Sequence, residues 1–463
     1  MPRIEKDSFG EKEVPDSAYY GVHTLRSIDN FRISGRQFPQ EFIFAIVKIK
    51  KACCRANLEL GLLETGKAEA ILRACDEILA GKFDGQFPVD RFQAGSGTST
   101  NMNVNEVIAN RACELLGKGK GSKAVHPNDD VNMGQSTNDV IPAAMRVACA
   151  ELSGELLENI GGLIAALEQK GEEFSQILKA GRTHLQDALP ITLGQEFFAY
   201  AEAMKKQSKR IRESAEYLKE LGIGGNAVGT GINTAPEFRE TIVKNLNEGT
   251  GMGFRVCGNG IEATQFLTDM AGFSSSLKLL AIDLNKISND LRLMNSGPRT
   301  GLAEIQLPPV EPGSSIMPGK INPSIAEAVN MACMQAIGND TAITLGCASG
   351  QLELNTNMPL IGCNSIESAK ILSGATRDFS GKCVAGIKAN REKCEWYVQN
   401  SAALATALNP LLGYDQVAAL VKESLARDRP IKELIVEKGL MTRLEADEKL
   451  NPGKLTKPNL KAR

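Results

Sequence analysis

Apolar residues recur through the middle third of the chain at alternating spacings of three and four. Met270, Phe273, Leu277, Leu280, Leu284, Ile287, Leu291 and Met294 form the longest such series. That spacing is the period of one face of an α-helix, and at about 1.5 Å per residue the helix spans ~50 Å at most. Phe197, Ala201, Met204, Ser208, Ile211, Ala215 and Leu218 form a second series, with Gly222 as its natural stop. A third helix is predicted to begin after Pro323 and to pass Ala326, Val329, Cys333 and Ile337. Seams of this length pack side by side as a bundle, with crossings like those of coiled coils.

Outside the bundle the pattern is more broken. Residues 1–37 are turn-rich, with Gly10, Pro15, Gly21 and Gly35, and residues 38–61 read as helix. Residues 86–104 are polar and glycine-bearing, with a helix predicted from about Asn103. Residues 117–138 read as loop. Asn409, Pro410 and Gly413 mark a break, followed by short helices at 416–426 and 443–450. The expected architecture is mainly α. An N-terminal mixed, mostly helical domain (1–138) leads into a central long-helix bundle (139–393), and a small helical domain (394–463) follows.

Composition narrows the function classes. The chain has 463 residues, enough for two or three domains, and a net charge of −2. That balance gives no footing for nucleic acid or an anionic membrane as partner. No apolar run of about twenty residues occurs, and the N-terminal MPRIEKDSFGEKEVPDS has no apolar core, so neither a membrane span nor a signal peptide is expected. The eleven cysteines are scattered with no C-x-x-C pair, which reads as reduced, buried thiols in a cytoplasmic protein. Only three histidines exist, His23, His126 and His184, and none stands at ligand spacing to a cysteine pair. No metal site and no cofactor are expected. GIGGNAVGTG at 222–231 follows a helix and lacks a P-loop lysine, so it is not read as a phosphate cradle. The basic run Lys454, Lys457, Lys461 and Arg463 reads as a solvated tail.

The segment richest in chemistry is GSSIMPGKINP, residues 313–323. Gly313, Pro318 and Gly319 predict a loop, and it carries two hydroxyls (Ser314, Ser315), a cation (Lys320) and an amide (Asn322). This segment resembles the signature of the fumarase/aspartase superfamily. SGTSTNMNVNE at 96–106 and GRTHLQDALPITLGQEF at 181–197 resemble that family's two other substrate regions, in the same order. Likeness to the family runs over nearly the whole chain, from Arg3-Ile4-Glu5 to beyond Asn409-Pro410.

The resemblance implies a homotetramer built on a twenty-helix core. Active sites there form where three regions from three subunits meet. It also implies a small dicarboxylate as substrate. Removing a proton beside a carboxylate gives a carbanion whose charge spreads into that carboxylate, and the resulting aci-carboxylate needs cations and hydrogen-bond donors aimed at it. By resemblance Lys320, Asn322 and Thr183 meet that carboxylate, and Ser314 takes the proton as an alkoxide stabilised by loop amides and a nearby cation. Thr98, Ser136, Thr137 and Ser315 are implied for the far carboxylate, and Asn138 and His184 for the leaving group. His184 is implied to pair with a glutamate that maps to Glu327, which as a helix-start acid would also suit the dipole alone.

Two branches of the family are in play. GEKEVPDSAYYGVHTLRS at 10–27, Thr137 in GQSTND, GNDTAIT at 338–344 and GQLELN at 350–355 look aspartase-like. Ser96 and the HPND of 126–129 look fumarase-like, and Asp130 departs from the histidine common to both. In fumarases a histidine at the place of His126 belongs to a second dicarboxylate site. The expected activity is the reversible elimination of ammonia from L-aspartate to give fumarate, with hydration of fumarate to L-malate as the alternative and Ser96 as a specificity position. An inactive structural protein of the same fold is a third reading, and the retention of Ser314, Lys320, Asn322, Thr183 and His184 argues against it.

Overall fold

The computed structural model describes residues 2–458, so Lys461 and Arg463 of the basic tail lie outside it. Its first thirty residues are more ordered than their turn content suggested. A hairpin of β1 (Arg3–Asp7) and β2 (Gly10–Val14) precedes the helix α1 (Val22–Asn30). The glycines and prolines there punctuate short elements; they do not abolish them. Next come α2 (Gln40–Glu59), α3 (Thr65–Leu79) and α4 (Thr98–Leu115). The last begins five residues before the expected start. Its first turn is polar, because hydroxyl and amide side chains there face a polar cluster instead of the apolar core.

The 37-residue α5 (Thr137–Glu173) leads to a second hairpin, β3 (Leu178–Thr183) and β4 (Gln186–Thr192). The helices α6 (Leu193–Tyr217), α7 (Phe238–Thr250), α8 (Gly260–Gln265), α9 (Thr268–Met294), α10 (Ser324–Ala348) and α11 (Met358–Asp378) follow. Beyond them the chain is made of short helices, among them Tyr414–Ala426 and Arg443–Lys449. The fold is mainly helical. All eight apolar residues of the α9 series are buried, which is what their spacing predicts.

The chain divides into two compact units. One comprises the chain up to Glu158, Gln207–Ile282 and Ala332–Ser373; the other comprises Asn159–Lys206, Asp283–Met331 and the chain from Gly374. In the first, α2 packs on α3, α4 and α7. There Ser274 and Lys278 of α9 both bond to Asp340 of α10, at 2.8 and 2.6 Å. In the second, the Ser288 hydroxyl donates to Ala326 O at 2.7 Å, and the Tyr200 hydroxyl donates to Asp290 at 2.9 Å. The C-terminal helices close around Val398, Leu404, Leu408, Leu420, Leu434 and Ile435, and Leu178 at the root of β3 packs on that core. No helix among the described residues is long and apolar enough to cross a membrane.

Candidate active site

Three of the candidate regions sit at element ends, where backbone groups are unspent. In the second unit, residues 313–323 form a loop that enters α10 at Ser324. Its neck is tied. Gly313 N–H donates to Lys320 O at 2.9 Å, and Asn322 Nδ2 donates to Gly313 O at 2.6 Å. A Cβ on residue 313 would meet Lys320 O at 2.5 Å, so only glycine fits this crossing. Inside the neck, Ser314 Oγ accepts N–H bonds from Ile316 at 3.2 Å and Met317 at 2.9 Å. Ser315 and Lys320 are exposed on the same loop.

Thr183 and His184 lie at the tip of the β3–β4 hairpin. Thr183 pairs with Gln186, so His184 and Leu185 alone make the turn. Both take positive φ, +55° and +58°. A two-residue hairpin turn with both φ positive ordinarily carries Asn-Gly, and a histidine and a leucine there are strained. The hairpin is braced from behind: Arg182 Nη1 donates to the fully buried Glu304 at 2.8 Å and stacks on Tyr397, while Lys179 lies 3.2 Å from Glu196. The Glu327 carboxylate lies 3.8 Å from Arg292. The structure of one chain does not bring Glu327 and His184 into a hydrogen bond.

In the first unit, Thr98 opens α4 and Thr137 opens α5, so both lie where helix N–H groups point outward. The two helix starts are locked together. Asn101 Nδ2 donates to Thr137 Oγ1 at 3.1 Å. Gly97, at φ +89°, lies where a Cβ would meet Ile141 Cγ1 at 3.2 Å, which brings α4 close onto α5. Ser136 Oγ accepts the Asn138 N–H at 3.2 Å, and Asn138 Nδ2 donates to Ala227 O at 2.9 Å. Ser96 is buried at φ +59°, its N–H donating to Thr356 O at 2.9 Å. His126 Nδ1 caps the turn that follows it, accepting from Asn128 and Asp129 N–H.

Behind these helix starts lies a polar cluster that motif reading did not single out. Asn132 Oδ1 accepts from Lys50 Nζ at 2.6 Å, Asn105 Nδ2 at 3.2 Å and Asn101 Nδ2 at 3.3 Å. Asp139 accepts N–H bonds from Ser136, Gly224 and Asn226, pinning the glycine-rich segment 222–231 as a structural loop. Burial pushes Asp139 up to about 6 against the pull of those bonds and of Lys50. The signal for Lys50 was present in the period: Ile43, Ile46, Lys50, Cys53 and Asn57 share the buried face of α2.

Residues 10–338 match a family model described as "Lyase", and residues 404–457 match one described as "Fumarase C C-terminus". The chain is 50% identical to fumarate hydratase class II of Halobacterium salinarum over 98% of its own length and 97% of that protein. It is 44% identical to aspartate ammonia-lyase of Bacillus subtilis over 99% and 97%. Its fold matches the crystal structure of class II fumarase from Schistosoma mansoni with a TM-score of 0.96 at 37% identity, covering 98% and 99% of the two chains. With these likenesses spanning the whole chain, the protein belongs to the fumarase/aspartase superfamily of lyases.

Proposed function

We propose that this chain catalyses the reversible elimination of ammonia from L-aspartate to give fumarate, with Ser314 as base. The observation that carries the elimination chemistry is the pair of backbone N–H groups on Ser314 Oγ. A hydroxyl has two lone pairs and can accept both bonds while neutral; the same converging donors would stabilise an alkoxide once the proton has left. In the proposed step the Ser314 alkoxide takes a proton from the carbon beside one carboxylate. The electron pair spreads into that carboxylate, where Lys320, Asn322 and Thr183 meet it. The C–N bond then breaks, its electron pair leaves with ammonia, and the double bond of fumarate forms. Thr98, Ser136, Thr137 and Ser315 hold the far carboxylate, with Ser96 beneath them as a specificity position.

The choice of ammonia as leaving group rests on Asn138. Its Nδ2 is engaged by Ala227 O, which leaves Oδ1 as the free acceptor. A leaving ammonium offers donors only, so an amide presenting its oxygen suits it. His184, paired with Glu327 in the assembly, stands on the same side. The second reading, hydration of fumarate to L-malate, is favoured by the 50% likeness to a class II fumarate hydratase. The reading includes a cytoplasmic homotetramer with the division 1–138, 139–393 and 394–463. It needs no redox cofactor, because the reaction moves no net electrons. Fumarate appearing by its ultraviolet absorbance from L-aspartate supports the ammonia reading. Fumarate appearing from L-malate alone overturns it in favour of hydration.

A further inference from the structure

The four most buried basic side chains of the described residues are Lys50, Arg146, Lys170 and Lys179. Arg146 pairs with Asp269 at 2.6 Å, Lys170 with Glu173 at 2.7 Å and Lys179 with Glu196 at 3.2 Å. Among the described residues Lys50 has no carboxylate within ion-pair distance. Its side chain is fully buried, and its one hydrogen bond goes to the neutral Asn132 Oδ1. Burying an ammonium without a paired anion is costly. A neutral amide in its place would make the same bond to Asn132 without that cost. The charge therefore exceeds what the hydrogen bond requires.

What lies in front of Lys50 explains the excess. Asn132 Oδ1 also accepts from Asn101, whose Nδ2 reaches Thr137 Oγ1. Lys50 is thus joined by two side chains to the hydroxyl at the start of α5. Thr98, Ser136 and Thr137 are all neutral, so the far carboxylate of a dianionic substrate would find donors there and no cation in contact. We infer that Lys50 is the positioning residue that supplies the missing counter-charge, acting from beneath through Asn132 and Asn101 on a carboxylate held at Thr137. This role rests on the reading of that threonine group as the far-carboxylate cradle. The cluster is suited to keep the cation. Asn101 Oδ1 and Asn105 Oδ1 are buried acceptors with no donor of their own, and Asp139 favours the charged lysine through space.

Burial nonetheless lowers Lys50 to about 8. The groups acting on it are Cys53 on its own helix, Cys75 from α3 and Asp139 from α5. Burial raises both thiols, which stay neutral through about pH 9.5, and Asp139 is ionised above about pH 7. Within this cluster, then, only Lys50 changes charge across that window. Its attraction for the far carboxylate is nearly complete at about pH 7, halved at about pH 8 and lost as pH rises further.

The test uses the full-length protein and succinate, a dicarboxylate without an amine, fully ionised above about pH 7. Wild type should lose about tenfold in succinate affinity between about pH 7 and 9.5. Lys50→Gln keeps a donor for Asn132 but no charge. It should raise the KM for L-aspartate, or for L-malate if that is the substrate, by about tenfold and leave kcat within about threefold. Its succinate affinity should be flat with pH. Lys50→Met should behave alike; if it fails to fold, the glutamine variant and the wild-type profile decide. A glutamine variant with wild-type KM, or a flat wild-type profile, overturns the role of Lys50. A wild type that binds succinate yet turns over neither substrate overturns the proposed function, while its pH profile still reports on Lys50.

Discussion

A serine hydroxyl is a poor base, and the geometry around Ser314 is what makes the assignment worth testing. Two amide N–H groups converge on its Oγ, and they would lower the cost of the alkoxide. Ser314→Ala removes the oxygen and leaves the neck of the loop intact, since Gly313, Lys320 and Asn322 make that neck. The variant should fold as wild type, keep succinate affinity within about threefold and lose at least about a hundredfold in kcat. Retention of a tenth of wild-type turnover would remove Ser314 from the role of base. The loop, its two hydroxyls, its cation and its amide were readable directly from residues 313–323. The period of α2 puts Lys50 on its apolar face, but that it bonds to Asn132 and has no carboxylate beside it is set by neighbours distant in the chain.

At the scale of elements, the β3–β4 hairpin stores strain where two functional candidates sit. His184 and Leu185 both occupy the left-handed region, and Leu185 is 69% exposed there. Its side chain therefore contributes little packing to set against the conformational cost. Leu185→Gly should stabilise the folded chain by about 1 kcal/mol, read as a higher urea midpoint with unchanged slope. An unchanged or lower midpoint would mean that the leucine side chain packs on something in the assembly. The helical period had located α2, α6, α9 and α10 but had picked out neither α5, the longest helix, nor α11. The hairpin escaped it, because GRTHLQDALP carries neither strict alternation nor an Asn-Gly turn. Tertiary support from Arg182, Glu304 and Tyr397 holds a turn that local preference would not choose.

At the scale of the molecule, some apolar surface of the long helices is left uncovered by a single chain. Met334 and Leu345 on α10 are 61% and 64% exposed, and Leu279 and Ile282 of α9 are also open to solvent. The 25 residues of α10 hold only two charges, Glu327 and Asp340. A helix apolar on nearly every side is stable when covered on nearly every side. The proposed homotetramer would cover this surface, and light scattering should then give about four times the 49.8 kDa chain mass. Met334→Lys with Leu345→Lys should yield smaller species and abolish turnover, since the active sites would lose the residues other subunits bring. A fully active monomer would overturn the assembly.

The sequence by itself determined the helical class, the positions of α2, α6, α9 and α10 and the loop that holds Ser314. These follow from local rules: a period of 3.6 residues, glycine and proline as punctuation, and chemistry carried by residues adjacent in the chain. Tertiary structure decided what depends on partners distant in sequence. It started α4 at Thr98, closed a strained turn over His184, set Asn138 against Ala227, and buried Lys50 beneath Asn132 with no carboxylate beside it. Whether a polar side chain is a surface ornament or an unpaired charge is fixed by its neighbours' distances, and those neighbours come from helices far apart in the chain.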